Sequence, residues 1–176
     1  GVTAALMLSA SAAVAVPLIP NLKPLPASYI SFATNASGGT DLRFSTTSWN
    51  SGLGPLELVA GDRNSATLRQ DVYQRIYDSN GTYSDSLAGT FTFHPEHNHF
   101  HFENYALYVL QSATANGASD RTSSKTTFCL MDTGYVNLSL PGAPQNAVYT
   151  TCGATVQGMS VGWGDRYYYG LPGQAI

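Results

Sequence analysis

Charged side chains are scarce in this chain, making up 11% of its 176 residues, against about a quarter in an ordinary globular domain. So little charge argues against a helical cytosolic protein. The formal net charge is -3 and no basic patch is visible, which excludes nucleic acid and anionic membrane surfaces as natural partners. Beyond the first residues no segment keeps a 3.6-residue apolar period, so amphipathic helices are not expected. No internal repeat is visible. Lysine is nearly missing, with Lys23 and Lys125 the only two. Cysteine is limited to Cys129 and Cys152.

What is present points to an exported β-protein. The 17 glycines and many short apolar runs suit strands separated by loops. The chain opens at Gly1 without Met. Residues 2–16 form an Ala-rich apolar run whose Ala13-Val14-Ala15 has the small-x-small form of a signal cleavage site. The run is too short to span a bilayer. Residues 1–15 are therefore expected to be a signal-peptide remnant, leaving a secreted mature chain with no membrane span. In that compartment Cys129 and Cys152 are expected to pair, worth roughly 3 kcal/mol on the chain-entropy view.

Residues 16–28 hold four prolines, which forbid helix and favour an extended leader. Strands are expected at residues 42–46, 56–59, 72–77, 89–93, 100–110 and 127–131. Asn80-Gly81 marks a tight hairpin, and residues 113–124 read as a polar loop. The fold class is all-β, a β-sandwich with long loops over residues 29–176. The end at Ile176 shows no closing strand, so a further strand is expected beyond it.

All four histidines fall within eight residues, His94-Pro95-Glu96-His97-Asn98-His99-Phe100-His101. Neutral imidazole suits copper, zinc, iron and nickel. Alternation puts His97, His99 and His101 on one strand face and turns Phe100 and Phe102 the other way. On a flat strand the outer two would stand about 13 Å apart, too far to share one ion at bonds of about 2.0 Å. A three-histidine site therefore requires the strand to bend or break near His97, for which Pro95 offers an entry. His97-x-His99-x-x-x-Glu103 also resembles the first metal motif of cupins. That family takes a further histidine from a later motif, and none follows His101 here.

The run His94-x-x-His97-x-His99-x-His101, followed by the aromatic Tyr105-Ala106-Leu107-Tyr108-Val109-Leu110, resembles the copper-binding segment of lysyl oxidases. Two more motifs follow in the family's order. Lys125-Thr126-Thr127-Phe128-Cys129-Leu130-Met131-Asp132-Thr133 is similar to its Lys-x-x-Phe-Cys-Leu-x-Asp-Thr. Gln157-Gly158 through Gly162 and Asp165-Arg166-Tyr167 are similar to its Gln-Gly-x-x-x-Gly…Asp-x-Tyr. Leu42-Arg43-Phe44 and Asn50-x-Gly52 match more weakly. The resemblance implies copper on the last three histidines with His94 nearby. It also implies a lysine tyrosylquinone cofactor joined from Lys125 and Tyr167. The implied reaction turns a primary amine, peptidyl lysine included, into an aldehyde with release of hydrogen peroxide and ammonia. Lys125 has independent support as the sole lysine outside the leader, set against an apolar run. Asp165 and Asp132 are the candidates for base or orienting partner, and Glu103 could orient a ligating imidazole. The chain departs from the animal enzymes in lacking their dense disulfides, in its polar loop, and in carrying Leu107 where they have a histidine. The resemblance is thus to distant members, microbial ones included. A cupin-like metalloenzyme without a quinone and a non-catalytic secreted metal-binding module are the competing expectations.

Overall fold

A computed structural model describes residues 14–113 and 120–176 of the chain. The signal-like run lies outside the described residues apart from its end, as does half of the polar loop. Among the described residues there is no helix; the fold is all-β, consistent with a β-sandwich.

Alternating apolar residues build the second of two five-stranded sheets. Its central strands are β4 (Leu56–Arg63), β5 (Arg69–Tyr77) and β6 (Tyr83–His94), joined antiparallel. β7 (His99–Phe102) closes one edge against β6, and β11 (Val156–Met159) closes the other against β4. The β5–β6 turn uses Asn80-Gly81 as a three-residue loop in which Gly81 alone takes the left-handed conformation, φ 86°.

The first sheet is built on β3 (Thr40–Asn50). Its length lets it pair with β1 (Leu22–Pro24) and β2 (Ser28–Thr34) on one side, and β12 (Trp163–Tyr167) on the other. β10 (Gly134–Tyr135) extends the sheet beyond β12. A short pair, β8 (Val109–Leu110) with β9 (Arg121–Thr122), stands apart. Among the described residues no helix is long and apolar enough to cross a membrane.

The core lies on the inner face of the second sheet, where Leu58, Val72, Phe91, Phe128, Leu130 and Met159 are fully or almost fully enclosed. Each such side chain contributes about 1.5–3 kcal/mol by burial. The first sheet meets this core through Tyr167, whose ring packs edge-on against Phe128 at 4.7 Å.

Three expectations change. Residues 100–110 are not one strand: β7 ends at Phe102, and Asn104 takes a left-handed backbone, φ 55°. The chain thereby turns Tyr105 and Tyr108 under the sandwich rather than along a sheet. Residues 127–131 are buried but form only an isolated bridge, Phe102 to Phe128. Phe128 donates to the Phe102 carbonyl, and the next two amides go to side chains, Cys129 donating to the Tyr167 hydroxyl and Leu130 to Gln157 Oε1. The last residues do pair, since Ala175 bridges Arg43 and Ile176 exchanges two backbone hydrogen bonds with Leu42.

The proline-rich leader is extended as expected, and it is not free. Leu18 donates to the Tyr77 carbonyl, Leu53 to that of Ile19, and Ser51 to that of Asn21. Asn50, fully buried, accepts from the amides of Asn21 and Gly52 and donates to the carbonyls of Gly54 and Met159. A Cβ on Gly52 would stand 2.4 Å from the Ile19 carbonyl oxygen. Asn50-x-Gly52 is therefore the clasp that seats the leader.

Candidate metal centre

The histidines sit on one hairpin. His94 and His99 face each other across β6 and β7, and residues 95–98 form the turn between them. Asn98 there has φ 54°, a conformation that asparagine tolerates. The turn supplies the break that three ligands require. It lifts His97 off the strand, while alternation carries His99 and His101 on the same face. The opposite face pairs Phe93 with Phe100 and Phe91 with Phe102 in the core.

The result is convergence. The ligand nitrogens of His97, His99 and His101 all lie within 4.8 Å of one another. His99 Nε2 and His101 Nε2 are 2.8 Å apart. Two nitrogens bound to one ion at right angles, each at about 2.0 Å, would be separated by about 2.8 Å, so this pair already fits a shared ion and His97 has only to close in. His94 is outside this trio and lies over His101, ring centres 4.2 Å apart.

Burial, reinforced by the neighbouring His94, His99, Lys125 and His97, pushes His101 down to about 3. Burial, with His97 and His94 adding to it, also lowers His99. Burial thus favours the neutral form of both rings, the form that keeps a lone pair for a ligand. His101 Nδ1 lies 3.3 Å from Thr127 Oγ1, so Thr127 holds that ring. Glu103 does not hold it: its carboxylate pairs with Arg69 and accepts from Thr92 at 2.6 Å. The expectation that Glu103 orients an imidazole is therefore wrong. Commitment to Arg69 also takes from the cupin template the carboxylate it needs. Thr127 was missed in the sequence, although it stands two residues beyond Lys125 in the same motif.

Lys125, Asp165 and Tyr167 line the same cavity as the three histidines, a space of about 210 Å³. Asp165 and Tyr167 share a face of β12 by the period-two rule, both turned inward. Lys125 Nζ stands 4.7 Å from the centre of the Tyr167 ring and 5.2 Å from that of Phe128. Gly173 makes room for it: a Cβ there would meet the Lys125 side chain at 3.2 Å, and the residue has φ 71°. Burial lowers the basicity of Lys125, and Asp165 partly opposes the shift. The Tyr167 hydroxyl accepts from the Cys129 amide and donates to the Cys129 carbonyl, both at 2.8 Å. Burial raises that phenol well above its ordinary range.

The two candidate aspartates part company. Asp165 is 4% exposed, and its Oδ2 has no hydrogen-bond partner among the described residues. Burial, helped by Asp132 and offset by Met131, Thr133 and Lys125, raises its carboxyl to about 8. Asp132 instead accepts from the amides of Val148, Tyr149 and Ser160 and from the Ser160 hydroxyl. A carboxylate so fully used ties three segments together and has nothing left for chemistry.

The expected disulfide joins Cys129 to Cys152. It brackets β7, because Phe100 donates to the Cys152 carbonyl and Phe102 to that of Phe128. The third motif is structural in its first half. Gln157 donates to the carbonyls of Phe100 and Gly153 and accepts from Leu130, while a Cβ on Gly158 would collide with the Leu56 carbonyl at 2.3 Å. No protein-family model matches the chain, and no curated protein matches it.

Proposed function

We propose that this chain is a secreted copper- and quinone-dependent amine oxidase. It would convert primary amines, peptidyl lysine among them, to aldehydes with oxygen as acceptor, releasing hydrogen peroxide and ammonia. The observation that carries the reading is the meeting of Lys125, Tyr167 and three converging imidazoles around one cavity. Three imidazole nitrogens suit copper, and His97, His99 and His101 would hold it. When formed, a quinone made from Tyr167 and Lys125 supplies an electrophilic carbonyl and an electron sink for the amine.

The remaining steps belong to side chains. Burial lowers the basicity of the Lys125 amine and so favours its neutral form, the form that would add to the Tyr167 ring once oxygen, with copper bound, has oxidised the phenol. The cross-link needs rotation of a flexible lysine side chain over a short gap. Phe128 and the Cys129 backbone hold the Tyr167 ring in place meanwhile. Asp165 is the group to accept a proton from bound amine. With its carboxyl raised to about 8, it can both take and return a proton near neutral pH. The disulfide is compatible with an extracellular setting.

Peptide mass spectrometry on copper-loaded, aerated protein tests this. The expected result is one cross-linked species containing Lys125 and Tyr167, with a visible absorbance band that a hydrazine bleaches. Separate, unmodified Lys125 and Tyr167 peptides from copper-bound protein would overturn the reading and leave a metal-binding module.

A further inference from the structure

A second cavity of about 220 Å³ lies beyond the first, with Asp165 and Tyr167 common to both. These two residues are therefore the partition between the spaces. None of the four histidines, Lys125 or any arginine lines the second cavity. Four rings do: Tyr105, Tyr108, Phe128 and Tyr167. Leu25, Ala27 and Ala106 add apolar wall.

The polar groups there are mostly spent. Tyr105 shares a hydrogen bond of 2.6 Å with Ser48, and Tyr108 one of 2.7 Å with Thr46. Their hydroxyls are taken, so what the two tyrosines offer a guest is their rings. The Tyr167 hydroxyl is bound to Cys129. Asp165 Oδ2 is the exception, enclosed and without a hydrogen-bond partner among the described residues. Aromatic rings carry negative charge on their faces and attract organic cations. Asp165 stands where this space meets the first cavity, and an unpartnered carboxylate oxygen needs a donor, best a charged one. An anion would meet repulsion from both, and a neutral apolar guest would leave the carboxyl unsatisfied.

We infer that the second cavity binds a small alkylammonium ion, with its ammonium head on Asp165 and its chain against Leu25, Ala27 and Ala106. Where the proposed oxidase activity holds, this places the amine on the side of Tyr167 opposite the histidines. Substrate and metal would then approach the ring by separate routes.

The test is binding of n-butylammonium chloride to copper-free protein, followed by ligand-observed NMR and calorimetry. About pH 9 is suitable, because the carboxyl is then ionised while an alkylammonium, with a pKa of about 10.4, keeps its proton. Saturable binding is expected, with n-butanol binding at least tenfold more weakly. Asp165→Asn should weaken binding at least tenfold. Ala106→Leu, which fills only the second cavity, should do the same, while His99→Ala leaves affinity unchanged. Binding lost in His99→Ala but kept in Ala106→Leu would place the ammonium among the histidines and overturn the inference. So would equal affinity for butanol. A quinone found in protein that ignores butylammonium would sink this inference and leave the oxidase reading intact. Butylammonium binding without a quinone would do the reverse.

Discussion

The two halves of the candidate site are built in opposite ways. The histidine half is a single hairpin: β6, a four-residue turn and β7 carry every ligand within eight residues. The Lys125–Tyr167 half joins an irregular segment to a strand of the other sheet. Backbone and side-chain hydrogen bonds, a disulfide and a glycine contact hold it in place. A local site can form as soon as its hairpin forms. A non-local one needs the whole sandwich, because Phe128 and Tyr167 meet only when the sheets close. Metal binding and cofactor chemistry should therefore be separable by mutation.

The largest effect expected is a clean split between the halves. Lys125→Arg should abolish the quinone band altogether while copper survives dialysis. His99→Ala should weaken copper retention by on the order of a hundredfold and, with it, prevent the cross-link. Metal analysis and absorbance on the same samples decide this. If Lys125→Arg also loses copper, the halves are one unit and the comparison fails.

Next in size is the disulfide, which joins Cys129 of the non-local half to Cys152 beside β7. Cys129→Ser with Cys152→Ser should lower stability by about 3 kcal/mol in urea unfolding. Residual copper binding by the hairpin should outlast residual cross-linking as urea is raised. Smaller again is the ring support of His101. Thr127→Val should weaken copper about tenfold by competition with a chelator, and Glu103→Gln should change it little. An equal loss in both would restore Glu103 to the site.

The last effect is electrostatic and is read as a slope against pH. Folding raises the Asp165 carboxyl from an ordinary value of 3.8 to about 8. Between those values the folded state binds the extra proton, so stability falls as pH rises through that window. In copper-free protein, Asp165→Asn should lose this part of the slope. Unfolding free energies measured from about pH 5 to about pH 8 check it; parallel wild-type and mutant curves would mean the carboxyl is not enclosed.

Legibility followed the same division. Alternation placed residues 42–46, 56–59, 72–77 and 89–93 correctly inside β3, β4, β5 and β6. It also turned Phe100 to the core and demanded the bend at His97. Residues 127–131 misled because an apolar run shows that a segment is buried, not how its backbone is satisfied. Here Gln157 and Tyr167 replace a neighbouring strand. Residues 103–108 misled because aromatic, β-prone residues followed a left-handed Asn104 out of the sheet. Glu103 and Asp132 were read by type as chemical groups. Their partners, Arg69 and Ser160, are remote in sequence and could not be seen in it. The leader read correctly as extended, but the contacts that Asn50 and Gly52 make with it were not visible in composition.

That leader has a mechanical meaning. It runs from the turn after β5, past the clasp at Asn50, into the edge of β3. Tension drawn on the N-terminal side would meet the end of β5 at Tyr77 and then pass into β3. The opposite edge of β3 holds β12 at Asp165 and Tyr167, through the pairs with Ser48 and Thr46. Load applied through the leader would thus arrive one strand away from the cavity.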